Sequence, residues 1–267
     1  MNGRTLARTL ATAAAVAALT GGLAACGGGS TAGGTGGTGG AASAAPAADP
    51  NASTCDNLLK LDAVPTPDGD PSAPPDPEAA KAWGNQVLPL LTSAMATAPA
   101  DLKTSLTALQ PVVQASATQG TQIPFDDPAV TENVAKYEGW AFQNCGYQQV
   151  SVMGADFKFE GMPQALTAGP TAIKMMNHSA AGQVHVMLIL RSPDPALTVE
   201  NFVGMPMEQL MTQFQPLPGA VVAPPGQEGG LLVDLEPGTY FFICPVGEEY
   251  GTAPHFVQGM INKVAVT

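Results

Sequence analysis

The sequence is short of charge, and of positive charge above all. Charged residues make up 12% of the 267, with ten Lys and Arg against twenty-two Asp and Glu and a net charge of −12. Nucleic acid is excluded as a partner, because binding phosphates takes a basic patch. Histidine is scarcer still: His178, His185 and His255 are the whole supply. No nucleophile motif of the Ser-His-Asp type is present, which excludes that class of hydrolase. The apolar run Ala11–Leu23 is too short to span a bilayer as a helix. What is abundant is Ala, Gly (30) and Pro (25), the composition of a chain that is part tether.

Arg4 and Arg8 followed by the Ala11–Leu23 run form the n- and h-regions of a secretory signal. That run ends in Leu23-Ala24-Ala25-Cys26, which resembles the lipobox of bacterial lipoproteins. The resemblance implies cleavage after residue 25 and acylation of Cys26, so that the protein is anchored by lipid to the extracytoplasmic face of the cell membrane. Residues 26–54, rich in Gly and Ala, read as the lipidated Cys and a flexible linker. Removing residues 1–25 takes Arg4 and Arg8 with it. Eight basic residues then face twenty-two acidic ones, a net charge of −14. Such a surface suits a basic redox partner or cations.

With Cys26 assigned to lipid, Cys55 and Cys145 bracket the first folded segment and are natural disulfide partners in an oxidising compartment. Cys244 is then the odd one, which marks a reactive thiol or a ligand. A Cys145–Cys244 pairing is the rival.

Residues 55–147 read as a small helical module. Asp76-Pro77-Glu78 is a helix start, with Asp as N-cap and Pro at the first helical position. Trp83, Val87, Leu90, Leu91 and Ala94 follow at helical spacing to about Ala96, and Pro89 implies a kink or break. A second helix, Ala100–Ala117, buries Leu102, Leu106, Leu109 and Val113; a third runs from Asp127 or Pro128 to Asn144. The segment has no His, and its acids are scattered.

From residue 148 to 267 the pattern changes to short strands. Val150 and Val152, then Phe157 and Phe159, alternate; Ala172–Asn177, Val184–Leu190, Leu231–Leu235, Tyr240–Cys244 and Met260–Val266 complete the set. Residues 192–229 are an excursion with a short helix around Met207–Gln213. Roughly six or seven strands with turn signals predict an antiparallel Greek-key sandwich, and so an α+β multidomain chain.

Chemistry concentrates near the C-terminus. Tyr240, Phe242 and Cys244 alternate, so one strand face ends in a thiol; His255 and Met260 follow the polar loop Pro245–Pro254, and His185 lies in the Val184–Leu190 strand. A thiolate, two imidazoles and a thioether are the ligand set of a blue-copper electron-transfer site. His178 reads as a surface turn residue or an extra ligand. The other methionines are unclustered and read as packing.

Residues 148–267 resemble the cupredoxins. The matching stretches are Asp156-Phe-Lys-Phe159 with Ala168-Gly169, Asn177 to His185, Pro237-Gly-Thr-Tyr-x-Phe-x-Cys244, and His255-x4-Met260 with Gly259 before the Met. The chain also resembles bacterial cupredoxin-like lipoproteins that carry a helical module ahead of the sandwich. The resemblance implies a membrane-anchored protein with one type 1-like copper on His185, Cys244, His255 and Met260. It would transfer single electrons to a redox partner, or handle copper from a donor protein, without turning over a substrate. A multicopper oxidase needs more His than this chain has. Two positions depart from the family. Ten residues separate Cys244 from His255 where the family has fewer, predicting a looser loop that lets water, Glu248 or Glu249 approach the metal. Val186 stands where an Asn usually ties the ligand loops together. The alternative is a metal-free cell-envelope scaffold, with His185 a core histidine bonded to a carbonyl, Cys244 a buried thiol and Met260 core filler.

Overall fold

Capping chemistry sets the helix starts. The Asp76 carboxylate accepts the N–H groups of Glu78 and Ala79 ahead of a first-turn Pro, and Asp127 caps Ala129 in the same way. The computed structural model describes residues 49–67, 76–124, 127–247 and 252–267, all within one unit, Ala47–Thr267. The segment read as a signal, Cys26, and the stretch read as linker as far as residue 48 lie outside the described residues. The helices are α1 (Ala52–Asp62), α2 (Pro77–Thr97), α3 (Ala100–Gln119) and α4 (Pro128–Asn144). α1 begins inside the stretch read as linker, because Leu58 and Cys55 are buried against the other helices. α2 runs on past Pro89, where no break occurs. Pro89 and Asn85, the residue whose carbonyl it leaves without a helical donor, are both on the solvent side.

α2 and α3 cross closely. A Cβ on Gly84 would overlap the Ala117 backbone nitrogen, and Ser116 Oγ donates to the Ala80 carbonyl at 2.9 Å. The expected disulfide is present: Cys55 and Cys145, 90 residues apart, are joined with Cα atoms 5.5 Å apart. Closing a loop of that length restricts the unfolded chain by about 4–5 kcal/mol.

Ten strands follow among the described residues: β1 (Gln148–Ala155), β2 (Lys158–Glu160), β3 (Ala165–Leu166), β4 (Gly169–Asn177), β5 (His185–Ser192), β6 (Gln215–Pro216), β7 (Val221–Ala223), β8 (Glu228–Leu235), β9 (Gly238–Ile243) and β10 (Ile261–Val266). α5 (Val199–Val203) and α6 (Met207–Gln213) lie between β5 and β6. One sheet has the order β2-β1-β4-β8 and the other β3-β10-β9-β5-β6, with β7 paired to β5. The sandwich is therefore mixed, since β1–β4 and β3–β10 are parallel while the remaining pairs are antiparallel.

The inter-sheet core takes alternate residues of both sheets, among them Val150, Val152, Ile173, Met175, Met187, Ile189, Tyr240, Phe242 and Val264. The outer face of β4 and β8 packs Ala172 and Leu232 against the helical layer. On the opposite side Phe241, Ile243 and Leu190 are covered by Phe202, Leu210 and Phe214 of the α5–α6 excursion. β9 is thus buried on both faces, which is why its sequence is apolar at almost every position.

β8 is an edge strand, and two helix carboxylates satisfy its outward N–H groups. Asp62 Oδ2 accepts from Leu232 at 2.9 Å, and Glu138 Oε2 accepts from Gly230 at 3.0 Å. Tyr137 donates its hydroxyl to Asp62 Oδ1 at 2.6 Å. This seam joins the helical layer to the sandwich.

Candidate metal centre

Strand pairing collects the ligand candidates. β5 and β9 are antiparallel with Leu188 opposite Ile243, so the start of β5 lies beside the end of β9. His185 is the first residue of β5, and Cys244 follows β9 directly. β10 also pairs with β9, Ile261 opposite Ile243, which returns the segment carrying His255 and Met260 to the same end of the sheet. All four side chains are fully buried.

His185, Cys244 and His255 each offer a ligand atom within 4.8 Å of the others. Cys244 Sγ is 3.5 Å from His255 Nδ1, and the two imidazole centroids are 5.3 Å apart, inclined at 72°. Met260 lies in the inter-sheet core with Cys244. Its N–H donates to the His255 carbonyl at 2.9 Å and its carbonyl accepts the Cys244 N–H at 3.1 Å. His178 is exposed and outside the group.

The donor set fits a soft metal ion, and His185 supplies the test. Both of its ring nitrogens are buried without a hydrogen-bond partner. A core histidine tied to a carbonyl would have one, and an unpartnered buried imidazole is costly. Burial holds its pKa below the usual value, a charge on His255 adds to this, and Asp156 opposes it. The neutral ring that results is the form that ligates.

The two departures from the family pattern have local answers. Val186 donates its backbone N–H to Cys244 Sγ at 3.5 Å, so the tie between ligand strands is made by a group that any residue but Pro provides. The long Cys244–His255 connection is pinched at its neck. Val246 accepts the His255 N–H at 2.7 Å, Cys244 accepts the Phe256 N–H at 2.9 Å, and Gly247 accepts both the N–H and the hydroxyl of Thr252 at 3.1 and 3.0 Å. Glu248 and Glu249 lie outside the described residues.

Three further residues shape the centre. Gly154, in β1 of the opposite sheet, faces it: a Cβ there would stand 3.2 Å from both His185 Cδ2 and Met175 Sδ. Asn177 is fully buried and organises the approach to His185. It donates to the Gln183 and Ala223 carbonyls at 2.8 Å each and accepts the Ser179 N–H at 2.8 Å. Phe157, expected on a strand, sits instead in the turn between β1 and β2 at φ 60°, its ring edge-on to His255 at 5.1 Å. The sequence reading missed Gly154, although a lone Gly in an alternating strand is itself a sign of close approach.

No family model matches the chain, and no curated protein matches its sequence. Solved structures do match. The sandwich is similar to those of cupredoxins. Auracyanin B is 19% identical, covering 45% of this chain and 88% of its own, with a TM-score of 0.30. Auracyanin A, a "blue" copper protein from Chloroflexus aurantiacus, is 17% identical over 46% of this chain and 100% of its own, with a TM-score of 0.32. Reduced rusticyanin is 17% identical over 45% of this chain and 80% of its own, with a TM-score of 0.28.

Proposed function

We propose that this protein would hold one copper ion on His185, Cys244 and His255, with Met260 as a further, weaker ligand, and serve in one-electron transfer or copper handling without turning over a substrate. The observation that carries the reading is the buried His-Cys-His group, with ligand atoms within 4.8 Å of one another and an imidazole that finds no partner in the protein. Copper held by such a set supplies a one-electron couple tuned by its sulfur ligands. The chain's own residues do the rest. Cys244 provides a thiolate steadied by the Val186 N–H, the two histidines provide neutral nitrogens, and burial keeps water out. The ligands come from paired strands and a pinched loop, so little needs to rearrange when the charge changes.

The same reading places the protein on the extracytoplasmic face of a bacterial membrane, held by acylated Cys26. The Leu23–Cys26 pattern supports the anchor, and the Cys55–Cys145 bond suits an oxidising compartment. Among the described residues no helix is long and apolar enough to cross a membrane. A basic redox protein or a copper donor is the partner that the acidic surface favours.

Copper stoichiometry and the visible spectrum of the purified protein after Cu(II) loading test the reading. The expected result is one copper per chain with an intense sulfur-to-copper band that Cys244→Ser and His185→Ala abolish. One tightly held copper without the band would redirect the reading toward copper handling. No retained copper in either oxidation state would leave the metal-free scaffold.

A further inference from the structure

His255 is fully buried although it lies on a connecting segment, and the Phe157 ring of the β1–β2 turn stands against it. Phe157 in that turn is the one non-glycine residue with positive φ among the described residues. A bulky side chain pays a steric cost there, and such a conformation persists only where surrounding contacts impose it. Those contacts lie on both sides. Toward the loop leading to His185, Asp156 Oδ1 accepts the Ser179 hydroxyl at 2.7 Å, and Gly154 accepts the His178 N–H at 2.7 Å. Toward the other ligand, the half-buried Phe157 ring stands edge-on to His255 at an interplanar angle of 78°. Gly259, at φ 120°, lies against the backbone of the turn: a Cβ there would approach the Phe157 carbonyl oxygen to 3.3 Å. One turn therefore straddles the segments that carry both histidines.

The geometry points to Phe157 as the cover of the candidate metal centre: its ring shields the His255 imidazole, and lifting of this turn opens the way for a metal ion to reach or leave His255. The inference rests on the copper-site reading for its purpose, but the cover itself is a property of the protein without metal. A cover sets rates. Removing it speeds metal uptake and metal loss together and leaves stoichiometry and ligand set unchanged. A residue that merely supported the fold would lower affinity and thermal stability instead.

The test is histidine labelling of the metal-free protein with diethyl pyrocarbonate, mapped by mass spectrometry, in wild type, Phe157→Gly and Phe157→Leu. Glycine removes the ring and accepts positive φ without strain, so the fold is retained, and a melting curve checks it. Exposed His178 is the internal reference. His255 is expected to react about ten-fold or more faster in Phe157→Gly, as local opening no longer limits access, with His178 unchanged and Phe157→Leu close to wild type. His255 labelling as slow in Phe157→Gly as in wild type overturns the inference. So does an equal acceleration at all three histidines, which would mean general loosening. Transfer of copper from loaded protein to a chelator is then expected to quicken by the same factor. If wild type retains no copper, the copper reading fails while the labelling still decides the cover.

Discussion

Gly154 shows how much one hydrogen atom decides. Its missing side chain lets β1 pass His185 and Met175, both 3.2 Å from where a Cβ would be. Gly154→Ala is expected to push the imidazole off its position, weakening copper binding about ten-fold or more, as loss of a ligand-orienting contact does. Chelator competition measures this, and affinity equal to wild type would remove Gly154 from the site. Asn177 acts on the same ligand through the backbone. Asn177→Ala strands the buried Ala223 carbonyl and the half-buried Gln183 carbonyl, so a loss of about 1–3 kcal/mol in urea unfolding is expected. A loss under about 0.5 kcal/mol would mean that water replaces the amide.

Among the elements, the α2–α3 pair depends on Gly84 lying against the Ala117 backbone. Gly84→Ala gains helix propensity but forces the helices apart. Overpacking of this kind wins, at a net cost of about 1–3 kcal/mol, read as a lower urea midpoint at constant slope. A higher midpoint would show that the crossing can widen freely. Strand order does for the candidate metal centre what helix spacing does for the bundle. With β9 between β5 and β10, three distant segments end side by side, and the pinch at Val246 and Gly247 turns a long connection into a short one at the ligands.

For the whole molecule, the seam between helices and sandwich carries a pH dependence. Burial pushes the Asp62 carboxyl up from 3.8 to about 6, against the pull of hydrogen bonds from Tyr137 and Leu232. Glu138 is raised too, by burial first and then by the charge of Asp62. A raised carboxyl means that the folded state binds the proton more tightly than the unfolded chain. The stability it contributes is full below about pH 4 and is lost as pH rises through about 6, on the order of 3 kcal/mol at most for Asp62. Asp62→Asn keeps an acceptor for the Leu232 N–H and removes the titration. Its unfolding free energy relative to wild type is expected to rise between about pH 4.5 and 7. A difference constant over that range would show that Asp62 titrates normally.

Much of this was legible in the chain. Asp76-Pro77 and Asp127-Pro128 announced their helices because capping is local chemistry, and the alternation Tyr240-Phe242-Cys244 placed a thiol at a strand end because a strand has period two. The order His185, Cys244, His255, Met260 named the candidate ligands by residue type alone. Helix α1 was hidden because its stability comes from burying Leu58 and from the disulfide, not from a start signal. The parallel pairing of β1 with β4, the burial of β9 on both faces and the carboxylates on the β8 edge join residues far apart along the chain, and no local pattern encodes them. Residue types and periodicity belonged to the sequence. Which groups meet at 3 to 5 Å, and which nitrogen is left without a partner, only the tertiary structure decided, since proximity across two sheets is a property of packing.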